Sequence, residues 1–208
     1  MARRAPRFAD CVFINCPFDE QYWPLFEAIV FCILDCGFTP RCALEDSDSG
    51  ELRLAKICAL VRGSRYGIHD ISRIELSEES ELPRFNMPFE LGLDLGSKTY
   101  GAPKLHRKKL LVLDSKPYRY QASISDIAGH DIRVHANSPD AAIVVVRHWL
   151  MTASGRKNIP SASTIKQQFL NFTSALPQLC DKTGVDRDDL QFVEYVVLAE
   201  AWLTTPVA

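Results

Sequence analysis

The chain has 208 residues, of which 47% are hydrophobic, and a formal net charge of −2. That length accommodates one domain of ordinary size plus an appendage, and that charge supplies no general attraction to nucleic acid or to an anionic membrane surface. No apolar run approaches the roughly 20 residues that span a bilayer, and Arg3, Arg4 and Arg7 are not followed by the apolar stretch of a secretory signal. A cytoplasmic protein with no membrane partner is therefore expected. Seven cysteines (Cys11, Cys16, Cys32, Cys36, Cys42, Cys58 and Cys180) without paired CxxC spacing argue against a disulfide framework and against a zinc site. Core packing is their expected role. Cys16 stands apart because it falls at the end of a strand.

Residues 11–15 (CVFIN) have the short, apolar, β-rich character of a buried strand. Cys16-Pro17-Phe18-Asp19 turns the chain, and residues 21–36 place Trp23, Phe26, Ile29, Val30, Ile33 and Leu34 at helical spacing before the stop at Gly37. Residues 38–43 predict a second strand, which Pro40 restricts to an edge or irregular position. A polar loop over 45–50 leads to a helix over 51–62, with Leu52, Ile57, Leu60 and Val61 turned inward. Residues 65–71 (RYGIHDI) predict the third strand. The charged stretch 72–85 is long for an α/β connection, the kind of loop that serves as a lid or lacks order.

A helix is expected over 87–97, with Pro88 tolerated in its first turn. Residues 108–113 are a buried strand, 131–135 a short one, and 139–151 a helix with Ile143, Val146, Trp149 and Leu150 packed inward. The residues between, Tyr118-Arg119-Tyr120-Gln121 through Gly129, predict a turn and a short helix near the ligand side of the sheet. The domain is assigned to 8–152, the Ser-, Gly-, Asn- and Pro-rich stretch 153–163 to a linker, and 164–208 to a helical extension with helices near 163–181 and 187–203. Such a helical pair either caps the domain or docks a partner. Alternating strands and helices with buried strands imply an α/β fold: a flavodoxin-like, doubly wound, mainly parallel five-stranded sheet with a C-terminal helical extension.

Ligands of such sheets bind at the carboxyl ends of the strands. Asp70 ends the third strand and Glu90 opens the following helix, so two carboxylates are expected at one crevice. The FINCPFD segment of the first strand, Asp70 and the helix-opening FELG resemble the nucleoside 2-deoxyribosyltransferase-like superfamily, which is related in fold to bacterial TIR domains; the resemblance covers residues 10 to 150. In place of that superfamily's small Asp/Gly/Thr run before the helix Glu, the chain carries Arg84-Phe85-Asn86-Met87-Pro88. The resemblance implies cleavage of an N-glycosidic bond, with Glu90 as nucleophile or oxocarbenium stabiliser and Asp70 positioning a ribose hydroxyl or the base. It also implies a homo-oligomer, and a defence effector is one form such an enzyme takes.

A carboxylate beside the anomeric carbon suits this chemistry because cleavage builds positive charge on the sugar. A first-turn position favours the ionised form of Glu90 by about 0.3–1 kcal/mol. Asn15, Cys16, Pro17, Phe18 and Asp19 are the candidate substrate contacts of the first loop; Arg73, Asn86, Met87 and Asp94 are those around the helix. Arg41, Arg65, Arg73 and Arg84 could offer a fork to a phosphate, but a surface ion pair is the more ordinary role for any one of them, for Arg73 and Arg84 with Glu75 or Glu81. An aspartate at the position of Asp94 is more often a solvated helix-face residue.

His69 should point away from Asp70, since neighbours in a strand face opposite ways. The resemblance, through the TIR-type fold, makes NAD a possible substrate. No cofactor is expected: glycine-rich phosphate loops are missing, and the five histidines lack ligand spacing. Asn15 and Cys16 do not supply the acidic pair of a phosphoryl receiver. The competing expectation is a non-catalytic nucleotide-binding or protein-interaction module, in which the aromatic last helix, with Tyr195 and Trp202, holds a regulatory partner.

Overall fold

Five short strands carry the fold: β1 (Cys11–Asn15), β2 (Thr39–Arg41), β3 (Tyr66–Asp70), β4 (Lys109–Asp114) and β5 (Arg133–Val134). In the computed structural model, which describes residues 6–45, 50–74 and 84–204, they form one all-parallel sheet in the order β2-β1-β3-β4-β5. β1 and β3 are buried at every position, as expected of parallel strands covered on both faces. β2, with Pro40, is an edge strand. The register sets Asn15 beside His69 and Asp70 beside Leu113. From β1 the chain steps outward to β2 and then returns past β1 to β3, so the order reverses between β1 and β3. At such a reversal the loops leave in opposite directions and open a crevice.

Helices α1 (Trp23–Asp35) and α4 (Pro139–Ser154) cover one face of the sheet. They pack on Val12, Ile14, Tyr66, Ile68, Leu111 and Leu113. Helices α2 (Arg53–Gly63) and α3 (Asn86–Tyr100) cover the other, on Phe13 and Val112. The last two helices, α5 (Ala162–Thr183) and α6 (Phe192–Thr204), form a further layer outside α1. This explains why α1 is buried at every residue from Leu25 to Ile33, Glu27 included: a helix apolar all round has protein on every side.

Aromatic side chains join the layers. Phe31 meets Phe169 and stacks on Phe172, which in turn meets Tyr195 and Trp202. The Tyr195 hydroxyl donates to the Glu27 carbonyl (3.0 Å). Tyr195 and Trp202 thus face inward and cap the domain.

The connection from α4 to α5 is pinned to the body. Arg147 donates to the carbonyls of Pro160 and Ile159. Arg156 pairs with Asp10 (2.6 Å) and lies over the Phe38 ring at 3.9 Å. Among the described residues no helix is long and apolar enough to cross a membrane.

Candidate functional site at the carboxyl edge of the sheet

Alternation along β3 separates the two carboxylates that the sequence places at one crevice. Asp70 points to the α1/α4 face and is fully buried. The Tyr22 hydroxyl donates to its Oδ2 (2.5 Å), the Ser72 N–H donates to its Oδ1 (2.8 Å), and His135 Nε2 lies 3.0 Å from Oδ2. The Ser72 contact is the turn cap that the spacing allows. His135 follows β5; its Nδ1 accepts the Asn137 N–H (3.0 Å), while its buried Nε2, although close to Asp70, makes no hydrogen bond among the described residues. Asp70 therefore fixes Tyr22 and the start of the β3–α3 connection, and lies beside the residue that follows β5. Tyr22 and His135 are widely separated in sequence, and neither belongs to a motif that would have marked it.

Glu90 lies on the opposite face, against α3's own side of the sheet. The helix begins at Asn86, one residue earlier than the spacing predicts, and no acidic residue occupies its first turn. Glu90 is therefore in the second turn, beyond most of the dipole's reach. Its side chain belongs to the inward stripe Met87, Glu90, Leu91 and Asp94. It is 8% exposed, and burial raises its carboxyl above the usual range, with Arg53 partly opposing. Among the described residues no hydrogen bond or ion pair reaches this carboxylate, and its oxygens are not sealed from solvent.

A line of buried polar groups runs behind Glu90. The Asn15 amide nitrogen donates to the Met87 carbonyl (2.9 Å) and meets His69 Nδ1 (3.0 Å). His69 Nε2 meets Asp94 Oδ2 (3.1 Å). Lys108 Nζ meets Asp94 Oδ1 (3.1 Å) and donates to the carbonyls of Val61 (2.7 Å) and Ser64 (2.5 Å). Asp94 and the Lys108 side chain are fully buried. Asp94 is thus an internal ion-pair partner, not a solvated face residue. Burial pushes its carboxyl upward, but the contacts with His69 and Lys108 outweigh burial and hold it below the ordinary value. Lys108, with one carboxylate to set against its own burial, is pushed down. Gly67 makes room for this line: a Cβ there would stand 2.6 Å from Asp94 Oδ2 and 2.9 Å from His69 Nε2. A glycine inside a strand is the one sequence signal that marks such a close approach.

The loop after β1 closes the other side of the crevice. Asp19 takes Arg84 (3.1 Å) and Arg73 (3.7 Å), and Arg73 also donates to the Gln21 side chain (3.1 Å). These bridges tie the β1–α1 loop to the β3–α3 loop. Glu75 and Glu81, the partners that proximity suggests, lie outside the described residues. Arg41 pairs with Glu45 (2.7 Å), and Arg65 lies over Tyr66. Cys16 and Pro17 are buried. Burial, then the charge of Asp70, raises the Cys16 thiol well above its usual value, so it stays protonated and unreactive. Asn86 is exposed at the helix start. Tyr120 is buried beside Ile71 and Met87, whereas Tyr118 is exposed.

Phe18 lies edge-to-face on Phe26 (5.4 Å) and lines a cavity of about 630 Å³ between the β1–α1 loop and the α5–α6 connection. Trp23, Glu27, Leu44 and Arg187 also line it. Glu27, raised by burial, pairs with Arg187 across it at 2.8 Å. Glu90 does not line this cavity. Among the described residues no group of three His, Cys, Asp or Glu side chains could hold a metal ion. No protein-family model, curated protein or solved structure matches the chain.

Proposed function

We propose that the chain cleaves the N-glycosidic bond of a nucleoside, a nucleotide or NAD at the β1/β3 crevice. The observation that carries this reading is the Glu90 carboxylate, 8% exposed and without a partner among the described residues. A nearly buried carboxylate with no hydrogen-bond or ion-pair partner among the described residues, and only the charge of Arg53 acting on it, gains when positive charge develops beside it. As the C1′–N bond breaks, its electron pair leaves with the base and the sugar carbon becomes cationic. Glu90 either stabilises that cation or bonds to it, and water or a second base then takes the sugar. Nicotinamide, cationic in NAD, leaves neutral without a proton; other bases need one supplied.

Asp70, with its oxygens engaged by Tyr22 and Ser72, acts in this reading as a positioning residue for the loops. Asn15 and Met87 flank Glu90, and Asp19, Arg73 and Arg84 close the mouth. Homo-oligomer formation and control by a protein partner at the helical layer remain part of the proposal.

The second reading, a nucleotide-binding module without catalysis, is favoured by the 630 Å³ cavity beside Phe18 and Trp23, since it lies apart from Glu90. Incubation of the wild-type protein with NAD, deoxynucleosides and nucleoside monophosphates, followed by chromatography of the free bases, separates the two. Base release from one class names the substrate. Binding detected by tryptophan fluorescence without base release supports the module.

A further inference from the structure

The buried line behind Glu90 dictates which way the Asn15 amide faces. Met87 O can only accept, so the amide atom 2.9 Å from it is the nitrogen. That same nitrogen lies 3.0 Å from His69 Nδ1. An amide N–H cannot share that contact with a protonated ring nitrogen, so Nδ1 carries a lone pair. The His69 proton is then on Nε2, facing Asp94 Oδ2. Asp94 is held in turn by Lys108 and by the Ser97 hydroxyl, which donates to its Oδ1 (3.2 Å). Turning the amide over would set its oxygen against the Met87 carbonyl. Both N–H groups of the amide are thus engaged inward. The remaining atom, Oδ1, has no partner among the described residues and is not sealed from solvent.

We propose that Lys108, Asp94 and His69 act as positioning residues that hold Asn15 Oδ1 as a fixed acceptor in the β1/β3 crevice, where it selects a sugar by one of its ribose hydroxyl groups. This rests on the glycosidic reading for the identity of the ligand, but the amide's orientation stands on the hydrogen-bond pattern alone. An acceptor that cannot turn to donate favours a hydroxyl over the hydrogen of a deoxy position. One such neutral hydrogen bond corresponds to about a three- to tenfold difference in affinity.

Two measurements test it. Long-range proton–nitrogen correlation on histidine-labelled protein at pH 7 reads the His69 tautomer: neutral with the proton on Nε2 is expected, and a proton on Nδ1 overturns the proposal. Calorimetric titration of Glu90→Gln protein, which holds its ligand unreacted, with adenosine, 2′-deoxyadenosine and 3′-deoxyadenosine reads the selection. One deoxy sugar is expected to bind about three- to tenfold more weakly than adenosine, and the difference is expected to vanish in Glu90→Gln/Asn15→Ala. Equal binding of all three sugars, binding of none, or a difference that survives Asn15→Ala overturns it. Should Asn15→Ala fail to fold, the tautomer and the three titrations of Glu90→Gln still decide. Base release that needs Glu90 but ignores the sugar hydroxyls would defeat this inference alone. The Nε2 tautomer and selective binding without base release would defeat the glycosidic reading alone.

Discussion

Replacing Lys108 with methionine keeps the length and apolar stem of the side chain and removes its charge. In the native protein Nζ meets Asp94 and donates to the carbonyls of Val61 and Ser64, with no exposure of the side chain. The substitution leaves Asp94 as a buried carboxylate facing only His69 and Ser97, and leaves two carbonyls short of a donor. Breaking a buried pair by removing one partner costs about 3–5 kcal/mol, a large part of the roughly 5–15 kcal/mol that holds a domain folded. Urea titration followed by tryptophan fluorescence at pH 7 measures it. In the wild type, Asp94 is held below the ordinary carboxylate value, so its contribution is present above that value and is lost as pH falls through the folded one. Without Lys108, burial dominates, the folded value rises, and the carboxylate costs stability as pH increases through it. The deficit of Lys108→Met should therefore shrink as pH falls toward 4, and adding Asp94→Asn should recover part of it at pH 7. A deficit under about 1 kcal/mol, or a double variant worse than Lys108→Met alone, would refute the reasoning.

Gly67→Ala should destabilise by about 1–3 kcal/mol through overpacking, since its Cβ would fall 2.6 Å from Asp94 Oδ2 and 2.8 Å from Leu110 Cδ2; thermal unfolding followed by circular dichroism checks this. Thiol labelling of the native protein, mapped by mass spectrometry, should modify Cys58 first, because the other six cysteines are buried; rapid modification of Cys16 would contradict its placement. The Glu27 carboxyl is raised by burial despite Arg187. Its contribution is present below the ordinary carboxylate value and is lost as pH rises through the folded one, so Glu27→Gln should lower stability at pH 4 relative to pH 7, compared with the wild type, in urea titrations.

The strands were legible where burial on both faces leaves an apolar run, as in Cys11–Ile14 of β1 and Leu110–Leu113 of β4; β3 (YGIHD) carries its burial with a histidine and an aspartate instead. The helices were legible from their spacing, although α6 starts at Phe192, after a turn in which the Asp188 N–H donates to Asp186. The extra layer over α1 was signalled by the all-round apolar character of that helix, which one-sided spacing alone does not express. The site was legible in part. The same alternation that turns His69 away from Asp70 also puts Asp70 and Glu90 on opposite faces of the sheet. Asp94 looks like a surface acid because its partner Lys108 comes from beyond the end of α3, and only packing brings them together. Tyr22 and His135 meet Asp70 from two distant loops, so spacing along the chain carries no trace of them.

The most direct test of the central claim is base release by Glu90→Gln, measured beside the wild type on whichever substrate the wild type cleaves, with circular dichroism and ligand titration to establish that the variant folds and binds. The amide keeps the shape of the side chain and removes the charge that meets the developing cation. Turnover is expected to fall by at least about 10²-fold with binding retained. A folded Glu90→Gln protein that releases base at the wild-type rate would contradict the assignment of this crevice as the catalytic site.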